Sequence, residues 1–397
     1  MDQVFDMENS MNDHPATNGM KPVLPFQIIN DADYYPQFEN EISNPPPVIP
    51  TGFPQLNQIL KGGLRPGLYG VGAISSLGKT TYSIQVTDFL AASGRDVLFF
   101  TLEMTRKELI AKSISRLTTT LHNEHFQNQG FFPNAATATD ILDNRCHDIG
   151  DLKTKICADA SNLFQKSIAQ NRFIIEPPGR CDLSMIESTI NAFLENRRSQ
   201  MEGDGKQFLP PIIAIDYLQV VATSGNKDVR QHIDDVVLSL KIISKQLQTP
   251  VFVISSFNRF MYGKQVSYES FKESGGIEYT ADCLFGFNPI YLDGNKRIRP
   301  GESGYSYNLA KSRTPRIVEL VILKNRYGET TGENGIFYEY FAAYNFFREL
   351  CDSTAASSDG GALETEEWNP SSEERYKRDR RGRTSNRREY SVTSDGY

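Results

Sequence analysis

The stretch Leu68-Tyr69-Gly70-Val71-Gly72-Ala73-Ile74-Ser75-Ser76-Leu77-Gly78-Lys79-Thr80-Thr81 decides the fold. A short apolar run, Leu68 to Ile74, ends at Gly78-Lys79-Thr80, and a helix-compatible segment follows. A glycine-lysine-hydroxyl triplet between a strand and a helix wraps phosphates with backbone N–H groups at the helix N-terminus. The triplet alone is short enough to arise by chance, so its setting carries the inference. The expected phosphate loop comprises Ala73, Ser75, Ser76, Leu77, Gly78, Lys79, Thr80 and Thr81, with Ala73 where the motif usually has glycine. Lys79 is expected to reach the β- and γ-phosphates of a nucleoside triphosphate. Thr80 is expected to ligate Mg²⁺ through its hydroxyl, and the helix dipole adds partial positive charge.

Outward from this loop, further apolar runs alternate with helical stretches: Val97 to Leu102, Phe173 to Ile175, Ile212 to Ile215 and Val251 to Ile254. That alternation marks βαβ units around a buried, mostly parallel sheet, an α/β fold with helices on its faces. Thr105-Arg106-Lys107-Glu108 reads as a capping box opening a helix after the second run. Asp216 closes the fourth run. Ligands of such sheets gather at the carboxyl ends of strands, so Asp216 is expected beside the phosphate loop as a second Mg²⁺ ligand. Glu103 closes the second run on the same edge, where it is either a base that polarises water or an acid favouring the following helix. Between about Asn123 and Asp151 no clean period emerges, and loops or short helices are expected.

Hydrophobic residues at 39% and charged residues at 23% suit a globular chain with a sizeable core, and the net charge of -7 excludes nothing about nucleic acid, because a basic channel vanishes in such a sum. Five scattered cysteines without a CxxC pair argue against a disulfide framework or zinc ribbon. No apolar run approaches a membrane span, so no membrane partner and a cytoplasmic location are expected. Three regions are expected: a mobile acidic arm over 1–48, a motor domain over 49–350 and a disordered tail with a basic cluster over 351–397. The arm contains Phe26, Ile28, Ile29, Tyr34, Tyr35 and Phe38, apolar enough to dock on this subunit or a neighbour. The tail's arginines either grip nucleic acid or lie solvated among acidic neighbours.

Several segments together carry a resemblance. They are Thr51-Gly52-Phe53 with Gly62-Gly63-Leu64, Ser75 to Thr80, Thr101-Leu102-Glu103-Met104, Ile215-Asp216-Tyr217-Leu218-Gln219 and Ser255-Ser256-Phe257-Asn258-Arg259. Glu273 to Glu278 with Ala281-Asp282, and Leu323 to Gly328 with Thr331-Gly332, complete the set. Seven blocks in one order resemble the C-terminal, RecA-like motor domain of DnaB-type replicative helicases. The resemblance implies an ATP hydrolase that moves 5′ to 3′ on single-stranded DNA as a hexameric ring. It implies Glu103 as catalytic base, and Lys324 and Arg326 reaching the γ-phosphate of the adjacent subunit. Such fingers are typically worth ~10³ to 10⁵ in rate, about 4 to 7 kcal/mol. It places DNA contacts on Arg259, Lys272, Glu273 and Gly275. Lys272, where the family has Arg, keeps the charge and loses the planar fork. The segment Ser224 to Arg230 is a second candidate channel loop or a solvated one.

Two departures leave part of the function open. Ser256 stands where the family carries a glutamine that senses the γ-phosphate. The family's N-terminal collar, which receives primase, has no counterpart in the polar residues before the motor, so primase binding is not carried over. Either the aromatic arm around Phe26 to Phe38 or a separate protein takes its place, and a primase or loader is a candidate partner. A RecA- or KaiC-like ATPase without unwinding activity is the alternative.

Overall fold

The computed structural model describes residues 29–126, 132–147, 151–221, 229–257, 259–274, 276–332 and 334–350. The chain divides into two compact units at Pro46 and Pro47.

The first unit holds helix α1 (Asp31–Ser43). Its start follows from capping: the Asn30 side chain accepts from the Asp33 N–H at 2.8 Å, and Asp31 and Asp33 sit in the first turn, where acids favour the helix dipole. No residue of α1 is buried. Tyr35, Phe38 and Ile42 are exposed, and their spacing of three and four puts them on one face. Composition alone does not show this helix, because a cap is one residue among many polar ones.

In the second unit, helix α2 (Pro54–Ile59) precedes strand β1 (Gly67–Ala73) and helix α3 (Lys79–Ala92). Strand β2 (Val97–Thr101) leads to α4 (Arg106–Phe126), α5 (Ala138–Leu142) and α6 (Asp151–Leu163). Then come β3 (Arg172–Ile175), α7 (Leu183–Gly203), β4 (Ile212–Asp216), α8 (Val229–Leu247) and β5 (Pro250–Ser256). The remainder is α9 (Ile277–Thr280), β6 (Cys283–Asp293), β7 (Lys296–Ile298), α10 (Tyr307–Ser312), β8 (Arg316–Asn325), β9 (Ile336–Phe341) and β10 (Phe346–Glu349).

These strands form one sheet in the order β10-β9-β8-β6-β1-β5-β4-β2-β3, with β7 pairing β6. From β6 to β3 every pairing is parallel, whereas β8, β9, β10 and β7 add antiparallel strands. All residues of β1, β2 and β4 are buried, as a sheet covered on both faces requires. The apolar runs read from sequence become β1 to β5, with ends moved by one or two residues. Ile74 and Leu102 fall just outside β1 and β2, and Asp216 and Ser256 fall inside β4 and β5. The reason is register: Asp216 pairs with Thr101 and Ser256 with Ala73, and polar residues extend a ladder that an apolar pattern cuts short.

Helix α3 is seated on the antiparallel half by aromatic packing. Tyr82 stacks on Phe53 and meets Phe287 edge-on, each at 5.0 Å between centroids. The loop before α3 is thereby fixed to the centre of the sheet.

Candidate functional site

The turn from β1 into α3 wraps tightly, because Gly78 has φ +83° and a Cβ there would meet the rings of Tyr340 and Phe347. Glycine is needed on both counts. Ser75 and Ser76 are exposed while Leu77 is buried, so the loop pins itself with one apolar residue and offers its polar ones outward. The Lys79 ammonium donates to the carbonyls of Ala73 at 3.1 Å and Ile74 at 3.3 Å. Burial lowers its pKa, against the raising influence of Asp216 and Glu103. Thr81 is buried and its hydroxyl bonds Tyr340, so it braces the loop from behind.

Asp216, at the carboxyl end of β4, is 1% exposed. Burial pushes its pKa up to about 6, opposed by a hydrogen bond from the Thr80 hydroxyl. Its Oδ2 is buried without a hydrogen-bond partner. A buried, half-satisfied carboxylate beside a threonine hydroxyl costs stability unless a cation completes it, so these residues fit Mg²⁺. Glu103, two residues beyond β2, is exposed and lines a cleft of about 320 Å³ with Thr105, Glu176 and Arg180. Its charge acts on both Lys79 and Asp216. The fold therefore brings Lys79, Thr80, Asp216 and Glu103 to one edge of the sheet.

Lys324 and Arg326 stand at the other edge. Cys283 pairs with Tyr69 on one side and with Asn325 on the other, which sets both cations near the start of β1, whereas the phosphate loop leaves its end. The offset is about 13 Å along β1 and about 10 Å across two strand spacings. Lys324 donates to the carbonyls of Glu278 at 2.8 Å and Tyr279 at 2.9 Å. The Arg326 side chain is 51% exposed and lies 3.4 Å from Asp282.

The backbone places Arg259 in a 3₁₀ turn (Arg259–Met261), and Lys272 and Glu273 in another (Tyr268–Ser274). Both follow the carboxyl end of β5. Gly275, residues 224–228 of the other candidate loop, most of the arm and the tail lie outside the described residues. Two residues at the site carry no signal in the sequence motifs. Arg316, from the start of β8, donates to the Ser76 carbonyl at 2.7 Å. Lys112 of α4 bonds Asn345 at 2.8 Å and its charge reaches Asp216. A third, Gln219, lies in a motif block that gives it no role of its own. It donates to the Ser255 hydroxyl at 2.9 Å and accepts from the Ser256 N–H at 3.3 Å.

A phosphate loop at the end of β1, with β5 inserted between it and the acid-bearing β4, defines a RecA-like P-loop fold. The family model for the DnaB-like helicase C-terminal domain matches residues 48–346, and the chain belongs to that family. Replicative DNA helicase DnaB of Geobacillus stearothermophilus is 26% identical over 338 residues, covering 81% of this chain and 61% of the relative. Replicative DNA helicase DnaC of Bacillus subtilis is 28% identical over 313 residues, covering 77% and 58%. The chain thus spans about six tenths of these relatives' length. Among solved structures, one ATPase domain superposes with a TM-score of 0.60 at 20% identity, covering 82% of this chain and 100% of that one. A DnaB-like replicative helicase, solved in a study of its interactions with primase, gives 0.58 at 21% identity, with 82% and 68% coverage. No helix among the described residues is long and apolar enough to cross a membrane.

Proposed function

We propose that the chain is the ATP-hydrolysing motor of a replicative-type DNA helicase, working 5′ to 3′ on single-stranded DNA as a hexameric ring whose active sites form between subunits. The observation that carries this reading is the separation of Lys79, Thr80, Asp216 and Glu103 from Lys324 and Arg326 across the sheet. A finger that cannot reach its own loop must serve a neighbour's, and a closed ring supplies one to every site. Lys79 moves from its loop carbonyls onto the β- and γ-phosphates. Ala73 and Ser75 to Gly78 shape the loop around them, and Glu103 orients and deprotonates the attacking water. Thr80 and Asp216 hold Mg²⁺, which supplies charge neutralisation at the phosphates. Arg326 and Lys324 meet the charge that develops on the γ-phosphate next door.

Arg259, Lys272, Glu273 and Gly275 then belong to the surface facing DNA in the channel. The exposed face of α1, with Tyr35, Phe38 and Ile42, docks on a neighbouring subunit. A primase or loader joins as a separate protein. Ser256 favours the alternative of an ATPase without unwinding. Against it, the Gln219 carboxamide reaches the Ser256 backbone and can report the state of the nucleotide from there. The test is unwinding of a forked DNA with a 5′ tail beside a Glu103→Gln control. Unwinding lost in the control supports the helicase reading; DNA-stimulated hydrolysis without unwinding supports the alternative.

A further inference from the structure

The finger residues are not free at their edge of the sheet. Asp282, between α9 and β6, is 2% exposed and collects several donors. Its Oδ2 accepts from the Leu68 N–H at 2.7 Å and from the Lys241 ammonium at 2.5 Å, and its Oδ1 faces the Arg326 guanidinium at 3.4 Å. Its backbone carbonyl also accepts from the Arg326 N–H at 2.9 Å. Gly67 makes room for the arrangement: a Cβ there would collide with the Asp282 carboxylate and the Tyr327 hydroxyl. A strand-end arginine that is half exposed would otherwise sample many rotamers. One buried residue, its carboxylate facing the guanidinium and its backbone carbonyl accepting from the Arg326 N–H, removes much of that freedom.

The second cation on Asp282 comes from α8. Two turns earlier on the same helix, the Asp234 carboxylate accepts from the Gly276 N–H. Seven residues bring Asp234 and Lys241 to one face of α8, about 10 Å apart. Helix α8 thus grips the chain at two points: beside the 3₁₀ turn that carries Lys272 and Glu273, and at the carboxylate that holds Arg326. We propose that Asp282 is the positioning residue for Arg326, and that the Lys241 link through Asp282 makes that position depend on α8 and hence on DNA held by the neighbouring turn. The proposal rests on the reading of Arg326 as a finger acting on the adjacent subunit.

The test measures kcat and KM for ATP on the full chain, with and without oligo-dT, for Arg326→Ala, Asp282→Asn, the double variant and Lys241→Met. Misplacing a catalytic group by about 1 Å costs on the order of 10²-fold, so Asp282→Asn is expected to lower kcat by roughly 10- to 100-fold with KM unchanged. The double variant is expected to be no slower than Arg326→Ala alone, because a residue acting through Arg326 has nothing left to position. Lys241→Met is expected to bring the ratio of DNA-stimulated to basal turnover down toward one. A multiplicative loss in the double variant, or a raised KM with kcat intact, overturns the proposal. Should Asp282→Asn fail to fold, Lys241→Met decides, and DNA stimulation retained in it overturns the link. Full turnover in Arg326→Ala removes the finger reading itself, whereas slow Arg326→Ala beside fast Asp282→Asn removes only the positioning role.

Discussion

The two ends of the β1 strand are built differently. At its carboxyl end, a contiguous loop, one buried acid and one exposed acid meet within a single turn of chain each, and their charges act on one another inside the subunit. At its amino end, Lys324 and Arg326 stand away from the phosphate loop of their own subunit, held by backbone carbonyls and Asp282. One end gathers Lys79, Thr80, Asp216 and Glu103; the other holds a pair of cations on carbonyls and a carboxylate. On the proposed reading, the first binds nucleotide and the second acts on the site of another copy of the chain.

This contrast orders the expected effects of substitution. Removing the finger with Arg326→Ala leaves nucleotide binding intact and lowers kcat by ~10³ to 10⁵, read by steady-state hydrolysis beside nucleotide titration. Undiminished turnover would break the comparison between the two ends. Glu103→Gln keeps the shape of the cleft and loses the base, for which ~10²- to 10⁴-fold in kcat is expected with little change in binding. Unchanged kcat would reduce Glu103 to a first-turn helix acid.

Asp216 sharpens the comparison through stability. Its folded pKa of about 6 lies above the ordinary 3.8, so the fold prefers the protonated form. The stability it contributes is fully present below about pH 4 and is lost as pH rises through 6. Near pH 8 and without nucleotide, the buried charge costs about 3 kcal/mol. Asp216→Asn is therefore expected to unfold at higher urea than wild type at pH 8, with the advantage vanishing near pH 4. An advantage independent of pH would show that burial of the charge is not the cause. A smaller effect is expected of Gly78→Ala, since both its φ and the Tyr340 and Phe347 rings oppose a Cβ; about 1 to 3 kcal/mol of strain should appear as a lowered Tm.

The same contrast explains what could be read in the sequence. Strands β1, β2, β4 and β5 announce themselves as apolar runs because they are buried nearly throughout, and the loop and acids sit at strand ends, where local pattern and chemistry coincide. The antiparallel half did not emerge from that pattern, because its strands pair through register and turns. Arg316 at the Ser76 carbonyl joins positions 240 residues apart, and Lys112 reaches Asp216 from the middle of a helix. No spacing rule finds such contacts. The finger role of Lys324 and Arg326 is implied only by resemblance, since nothing local distinguishes a finger from any exposed strand-end cation. Helix α1 was missed because one cap at Asn30 outweighs the polar composition around it.

Mixing two inactive variants, Lys79→Ala and Arg326→Ala, tests the central claim most directly. A Lys79→Ala subunit still offers Arg326 to its neighbour, and an Arg326→Ala subunit still offers an intact phosphate loop. If sites form between subunits, mixed rings recover ATP hydrolysis that neither variant has alone, and recovery peaks at intermediate ratios. Hydrolysis that stays absent at every ratio, in rings shown to have exchanged subunits, would contradict the shared site.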